Sequence, residues 1–169
     1  MMKAIAMGLG LTLFAGIAGA WVQPARAVVL NDARALRGLH TAKAVFLIDV
    51  KKPQVLGNVV RVANLAYVGM ARQGVKPHFV VVIIGPDVAF LTQNLLGISY
   101  RQRAAAARIQ AEIAAMSRKG VRFEACGVSL TQGVDINPRD LIRQVHPVGN
   151  GFISAIGYQA QGYELVPVY

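Results

Sequence analysis

Two uninterrupted apolar runs constrain this chain most. Residues 42–50 read AKAVFLIDV and residues 78–84 read HFVVVII. Neither alternates polar with apolar, so neither suits a sheet with one wet face. Such runs fit strands covered on both sides, as in a parallel sheet. Parallel neighbours need a crossover between them, usually a helix. The intervening segment supplies one. Pro53 suits a first helical turn, and apolar residues recur at Val55, Leu56, Val59, Val62, Ala63, Ala66, Tyr67 and Met70 until Gly74 ends the pattern.

The alternation continues down the chain. Gly85-Pro86-Asp87 is a turn, residues 88–94 read as a short helix, and residues 97–100 as a loop. Residues 101–119 are an Ala-rich helix stopped by Gly120. Residues 121–126 are a third strand ending at the only cysteine, Cys126. Asn137-Pro138 opens a short helix through residue 143, and residues 144–148 are a fourth strand interrupted by Pro147. Gly149-Asn150-Gly151 turns into a helix that ends at Gly162, and residues 163–168 form the last strand. Residues 28–41 read as an arm, with a turn of helix at 33–38. The pattern predicts an α/β fold of three layers, α/β/α, around a mostly parallel five-stranded sheet. In such sheets ligands gather beyond the carboxyl ends of the strands. Asp49, Gly85-Pro86-Asp87, Cys126-Gly127 and Gly149-Asn150-Gly151 all fall there, so they are expected to line one rim.

The N-terminus reads differently. Lys3 precedes an uncharged stretch, residues 4–21, rich in Ala, Gly and Leu. Pro24 and the small-x-small site Ala25-Arg26-Ala27 follow. That is the layout of a secretory signal peptide cleaved after Ala27, with an uncleaved anchor as the competing reading. Residues 28–169 then form a single domain, periplasmic or secreted, with no stable membrane insertion. The formal charge of +10 falls to +8 without Lys3 and Arg26. The basic residues are scattered, without an RNP-like motif or a basic block, which argues against nucleic acid. The charge suits solubility and a mild attraction for anions or anionic membrane surfaces.

Cys126 is the one nucleophile with a positional argument. Gly127 frees the backbone after it, and Ser129 or Thr131 is placed to open a helix whose N–H groups and dipole favour thiolate. A buried cysteine acting as a small hydrophobe is the opposing reading. One cysteine makes no intrachain disulfide, and in an oxidising compartment it is reactive or intermolecular. Strand alternation puts Arg122 and Glu124 on the same face as Cys126. They either tune the thiol or mark an edge strand or subunit contact, and the second role is preferred because charges are seldom buried singly. The contact reading implies a homo-oligomer.

His40, His78 and His146 are far apart and lack metal-ligand spacing, so no metal or cofactor is expected. Gly149-Asn150-Gly151 followed by Ser154 is a degraded G-x-G-x-x-G, and its glycines read as turn chemistry rather than a dinucleotide site. Asp87 reads as a cap for the following helix, with an anion-pocket role for the Gly85 turn as the lesser alternative.

With these residues placed, the chain resembles the DsrE/DsrF-like family of sulfur-relay proteins over about residues 43–169. The marks are Gly85-Pro86 after a Val-rich strand, Gly120-Val121-Arg122-Phe123-Glu124-Ala125-Cys126 after a helix, the Gly149-x-Gly151 turn, and the ending Gln159-Ala160-Gln161-Gly162-Tyr163. The resemblance implies a flavodoxin-like arrangement and trimeric or hexameric assembly. It also implies that Cys126 carries sulfur as a persulfide, exchanged with a donor or acceptor protein or a small sulfur compound. The alternatives kept beside it are a redox-sensing or small-ligand-binding module without turnover, and an oligomeric structural protein with an inert cysteine.

Overall fold

The apolar runs become the inner strands of a sheet. A computed structural model of the chain describes residues 30–169. The expected leader and its cleavage site lie outside the described residues. β1 (Thr41–Ile48), β2 (Lys76–Ile83), β3 (Arg122–Cys126), β4 (Val145–Val148) and β5 (Glu164–Val168) form one sheet in the order β4-β3-β2-β1-β5. Every pair is parallel. The edge strands β4 and β5 carry Pro147 and Pro167, where a missing N–H costs least, and the inner strand β2 carries a proline only at its second residue, Pro77.

Helices α1 (Pro53–Arg72) and α2 (Tyr100–Ser117) connect β1 to β2 and β2 to β3. Both pack on one face, over a core that includes Ile48, Leu56, Phe79, Ile83, Ile109 and the fully buried Phe123. Each such side chain contributes about 1.5–3 kcal/mol by leaving water. From β4 the chain must reach the opposite edge. It does so through α3 (Gly151–Ala160), which covers the other face over Val45, Leu47, Val80, Val82, Ile84 and Cys126. The result is the expected three-layer α/β/α, flavodoxin-like arrangement, with the sheet parallel throughout.

Two short elements differ from expectation. The helix expected at 88–94 is a 3-10 segment, Gly85–Leu91, which starts earlier because Pro86 sits in its first turn. The helix expected through residue 143 is one 3-10 turn, Pro138–Asp140, capped by Asn137 accepting the Arg139 N–H. The chain straightens there because its backbone is claimed by residues 91–93. The Gln93 N–H donates to the Asp140 carbonyl at 2.7 Å and the Ile142 N–H to the Leu91 carbonyl at 2.9 Å, and Leu141 and Ile142 are buried.

Candidate functional site

Beyond β3 and β4 the chain departs to opposite faces. After β3 it turns toward the α1/α2 side, where Leu130 enters that core. After β4 it enters α3 on the other side. A crevice therefore opens between the carboxyl ends of β3 and β4, the position where α/β sheets hold ligands. Cys126 occupies it, in register with Val148 of β4.

Gly127 and Gly151 are required by this closeness. A Cβ on Gly127 would lie 2.7 Å from the Val148 carbonyl oxygen, and one on Gly151 would lie 2.5 Å from Ile84 Cγ2 and 3.2 Å from Cys126 Cβ. Gly149 has no such neighbour. Asn150 is the N-cap of α3, accepting the Phe152 N–H at 2.9 Å. With the helix end so held, the Gly151 N–H donates to Cys126 Sγ at 3.3 Å.

The helical segment after Cys126 is short, residues 127–133, and begins before Ser129. The segment Ser129–Gly133 is a single π-helical turn, a feature frequent at functional sites. Its own backbone still contributes. Burial pushes the Cys126 thiol up, but hydrogen bonds outweigh it and hold the pKa below the ordinary thiol value. The donors are the Ser129 hydroxyl, then the N–H groups of Gly151, Ser129 and Val128. Ser129 Oγ in turn accepts the Gly85 N–H at 2.9 Å, so the hydroxyl is polarised toward the sulfur. The N-terminus of α3 therefore reaches the thiol as well, through Gly151, a contact the sequence did not suggest.

Of the expected rim residues, Cys126, Gly127, Ser129, Gly85 and the Gly149-Asn150-Gly151 turn converge. Asp49 joins them by packing on Gly85, whose φ of +66° and contact with the Asp49 carboxylate admit no side chain. Pro86 lines an adjacent cleft of about 340 Å³, together with Gly85, Val128, Ser129, Gln132, Gly133 and Val134. Cys126 is 5 % exposed and lies behind Ser129 rather than in the cleft wall. A larger groove, about 590 Å³, runs between α1 and α2 and contains none of these residues.

Asp87 does not cap the segment it belongs to. It is fully buried, and its Oδ2 accepts the N–H groups of Val50 at 2.7 Å and Lys51 at 3.0 Å. It thereby pins the loop from β1 to α1, where Lys51 adopts a φ of +61°. Burial raises its pKa, against those two hydrogen bonds, and the nearby Asp49 adds to the rise.

Arg122 and Glu124 do share the face of Cys126, but not on an edge strand. β3 is an inner strand, and Glu124 is 2 % exposed within the chain itself. Its Oε1 accepts from Arg122 Nε at 2.6 Å and from the Tyr158 hydroxyl at 2.8 Å, and its Oε2 accepts from the Ser154 hydroxyl. Three donors explain how a carboxylate is tolerated there. Ser154 and Tyr158 were not expected in this role. Their spacing from Gly151 is the signal, because Gly151, Ser154 and Tyr158 recur along one helical face. His146 stands beside Glu124 in β4, exposed and away from the rim. Among the described residues, no group of three His, Cys, Asp or Glu side chains is placed to hold a metal ion, and no helix is long and apolar enough to cross a membrane.

No protein-family model matches the chain, and no curated protein matches it. A solved structure, the protein of unknown function MTH1491 from Methanobacterium thermoautotrophicum, is similar at a TM-score of 0.54 and 24% identity. The match covers 75% of this chain and 98% of that one. It supports the fold and assigns no chemistry.

Proposed function

We propose that the chain is a sulfur carrier in which Cys126 holds a persulfide, the activity that its resemblance to DsrE/DsrF-like proteins implies. The observation that carries this reading is the Gly151 N–H directed at Cys126 Sγ, 3.3 Å away. With Ser129 and Val128 it surrounds the sulfur with donors, which is what a stored thiolate or persulfide anion needs.

The chemistry requires no oxidant. The Cys126 thiolate attacks the outer sulfur of a donor such as thiosulfate or an alkyl persulfide. A new S–S bond forms on Cys126, the donor's S–S bond breaks, and its electron pair leaves with sulfite or a thiolate. An acceptor nucleophile then takes the outer sulfur and returns Cys126 to thiolate. The net positive charge favours the encounter with anionic donors. The reading includes export, with a mature chain starting at Val28, and a trimeric or hexameric assembly. The assembly is supported by the exposed Phe152, Ile153 and Ile156 on α3.

Intact-mass spectrometry after incubation with thiosulfate or a persulfide donor tests the proposal. Wild type should gain the mass of one sulfur, reversed by a thiol reductant, and Cys126→Ser should gain nothing. A folded wild type that takes up no sulfur sinks it. N-terminal sequencing of exported protein and light scattering test the remaining parts, and a monomer at micromolar concentration rules out the assembly. One observation favours a second reading. The cleft beside Ser129 and the 5 % exposure of Cys126 suit a small-ligand-binding module in which the thiol senses rather than carries.

A further inference from the structure

Helix α3 sits lightly on the sheet. Only Gly151 and Ala155 of its ten residues are buried, and Phe152, Ile153 and Ile156 face outward. Apolar burial therefore does little to fix where its first turn stops. The hydrogen bonds from Ser154 and Tyr158 to Glu124 lie one and two turns beyond Gly151 on the same side. Glu124 lies two residues before Cys126 on the same face of β3. The helix thus touches the strand at two stations, Gly151 on Cys126 and Ser154–Tyr158 on Glu124.

We propose that Glu124 is a positioning residue for Cys126: its carboxylate fastens α3 to β3 and so keeps the Gly151 N–H on the sulfur. This rests on the reading of Cys126 as the reacting group. The arrangement runs against simple electrostatics, since a bare carboxylate this near would disfavour thiolate. The charge is answered by Arg122, and the Tyr158 hydroxyl remains a donor, its pKa raised by burial and by its bond to Glu124. The other charged or titratable groups toward this face are His146 on β4, Lys76 and His78 on β2, Lys43 on β1 and Tyr163. Lys43 Nζ stands 5.4 Å over the Tyr163 ring, and Tyr163 packs against Tyr158.

Gln at position 124 can keep every contact without the charge. Its carbonyl accepts from Tyr158 and Arg122, and its amide donates to the Ser154 oxygen. Ala keeps none of them. Ser154→Ala/Tyr158→Phe keeps the charge and removes both links to the helix. The experiment is the rate of iodoacetamide alkylation of Cys126 in the folded protein against pH, in a His78→Gln/His146→Gln background so that neither histidine on this face contributes. Glu124→Ala and the double variant should each slow alkylation at neutral pH by about tenfold, the order expected for losing a hydrogen bond to a charged sulfur. Glu124→Gln should stay within about twofold of wild type, since its contacts are kept. If Glu124 acted through charge alone, Gln and Ala would both speed alkylation and the double variant would leave it unchanged. If its role were only structural, melting temperatures would fall with no change in the pH profile. Either result overturns the proposal, and the double variant decides it should Glu124→Ala fail to fold. Sulfur uptake by wild type is read separately. Alkylation that follows this pattern without sulfur uptake ends the carrier reading and leaves the positioning role standing.

Discussion

Gly151→Ala asks the most of the site. The new methyl would begin 2.5 Å from Ile84 Cγ2 and 3.2 Å from both Cys126 Cβ and Val82 Cγ1. Carbon atoms prefer about 3.5–4.0 Å, so the end of α3 must retreat by about 1 Å or the strands must spread. Val82 and Ile84 are held between two helical layers, so the helix end is the part that moves. Overpacking of this kind costs about 1–3 kcal/mol. The better helix propensity of Ala returns at most about 1 kcal/mol. The net expectation is a loss of about 1–2 kcal/mol in unfolding free energy. The retreat also takes the Gly151 N–H out of reach of Cys126 Sγ. A hydrogen bond to a charged group is worth about 1.5–3 kcal/mol, so the thiolate population at fixed pH should fall by about tenfold or more. Urea unfolding measures the first quantity and the pH dependence of iodoacetamide alkylation the second. A variant that loses stability while alkylating like wild type would refute the reasoning, because the helix end would then be packed on the sulfur without acting on it.

Two further outcomes follow from the buried groups. Asp87→Ala strands the N–H groups of Val50 and Lys51 and should cost about 1–3 kcal/mol in denaturant unfolding. Asp87→Asn keeps an acceptor for both. Because the folded-state pKa of Asp87 is raised, wild type loses stability relative to Asn as pH rises through the carboxylate range, and the gap between the two curves should widen in that direction. Cys126 has the opposite sign. Its folded-state pKa is lowered, so the stability it adds is complete above the unfolded value of about 8.5 and is lost as pH falls through the folded value. The unfolding free energy of wild type relative to Cys126→Ser should therefore rise with pH up to the unfolded thiol value of about 8.5 and level off above it, and a flat difference would remove the stabilised thiolate.

The fold was legible because burial on both faces leaves a plain mark. Val80, Val82 and Ile84 point to one layer and Phe79, Val81 and Ile83 to the other, so no polar residue interrupts the run. The rim was legible for the same reason, since strand ends can be counted once the strands are known. The partners across the rim were not. That Gly151 is the donor to Cys126 depends on α3 crossing the sheet to reach β5 beside β1, and strand order is not written in local periodicity. Glu124 shows the limit of composition-based reasoning. A charge in a strand suggested an edge or a contact, yet Arg122, Ser154 and Tyr158 satisfy it inside the chain. Asp87 was misjudged similarly. A short polar residue at the start of a helical segment reads as a cap, but its partners, Val50 and Lys51, lie in a different loop.

The central claim is that the folded chain holds Cys126 as a reactive, stabilised thiolate. Alkylation of wild type by iodoacetamide, followed by mass spectrometry across pH in the native state and again in denaturant, tests it most directly. The native thiol should react, with a midpoint below that of the denatured chain. A thiol that reacts only after denaturation, or with a native midpoint above the denatured one, contradicts it and returns Cys126 to the core as a small apolar residue.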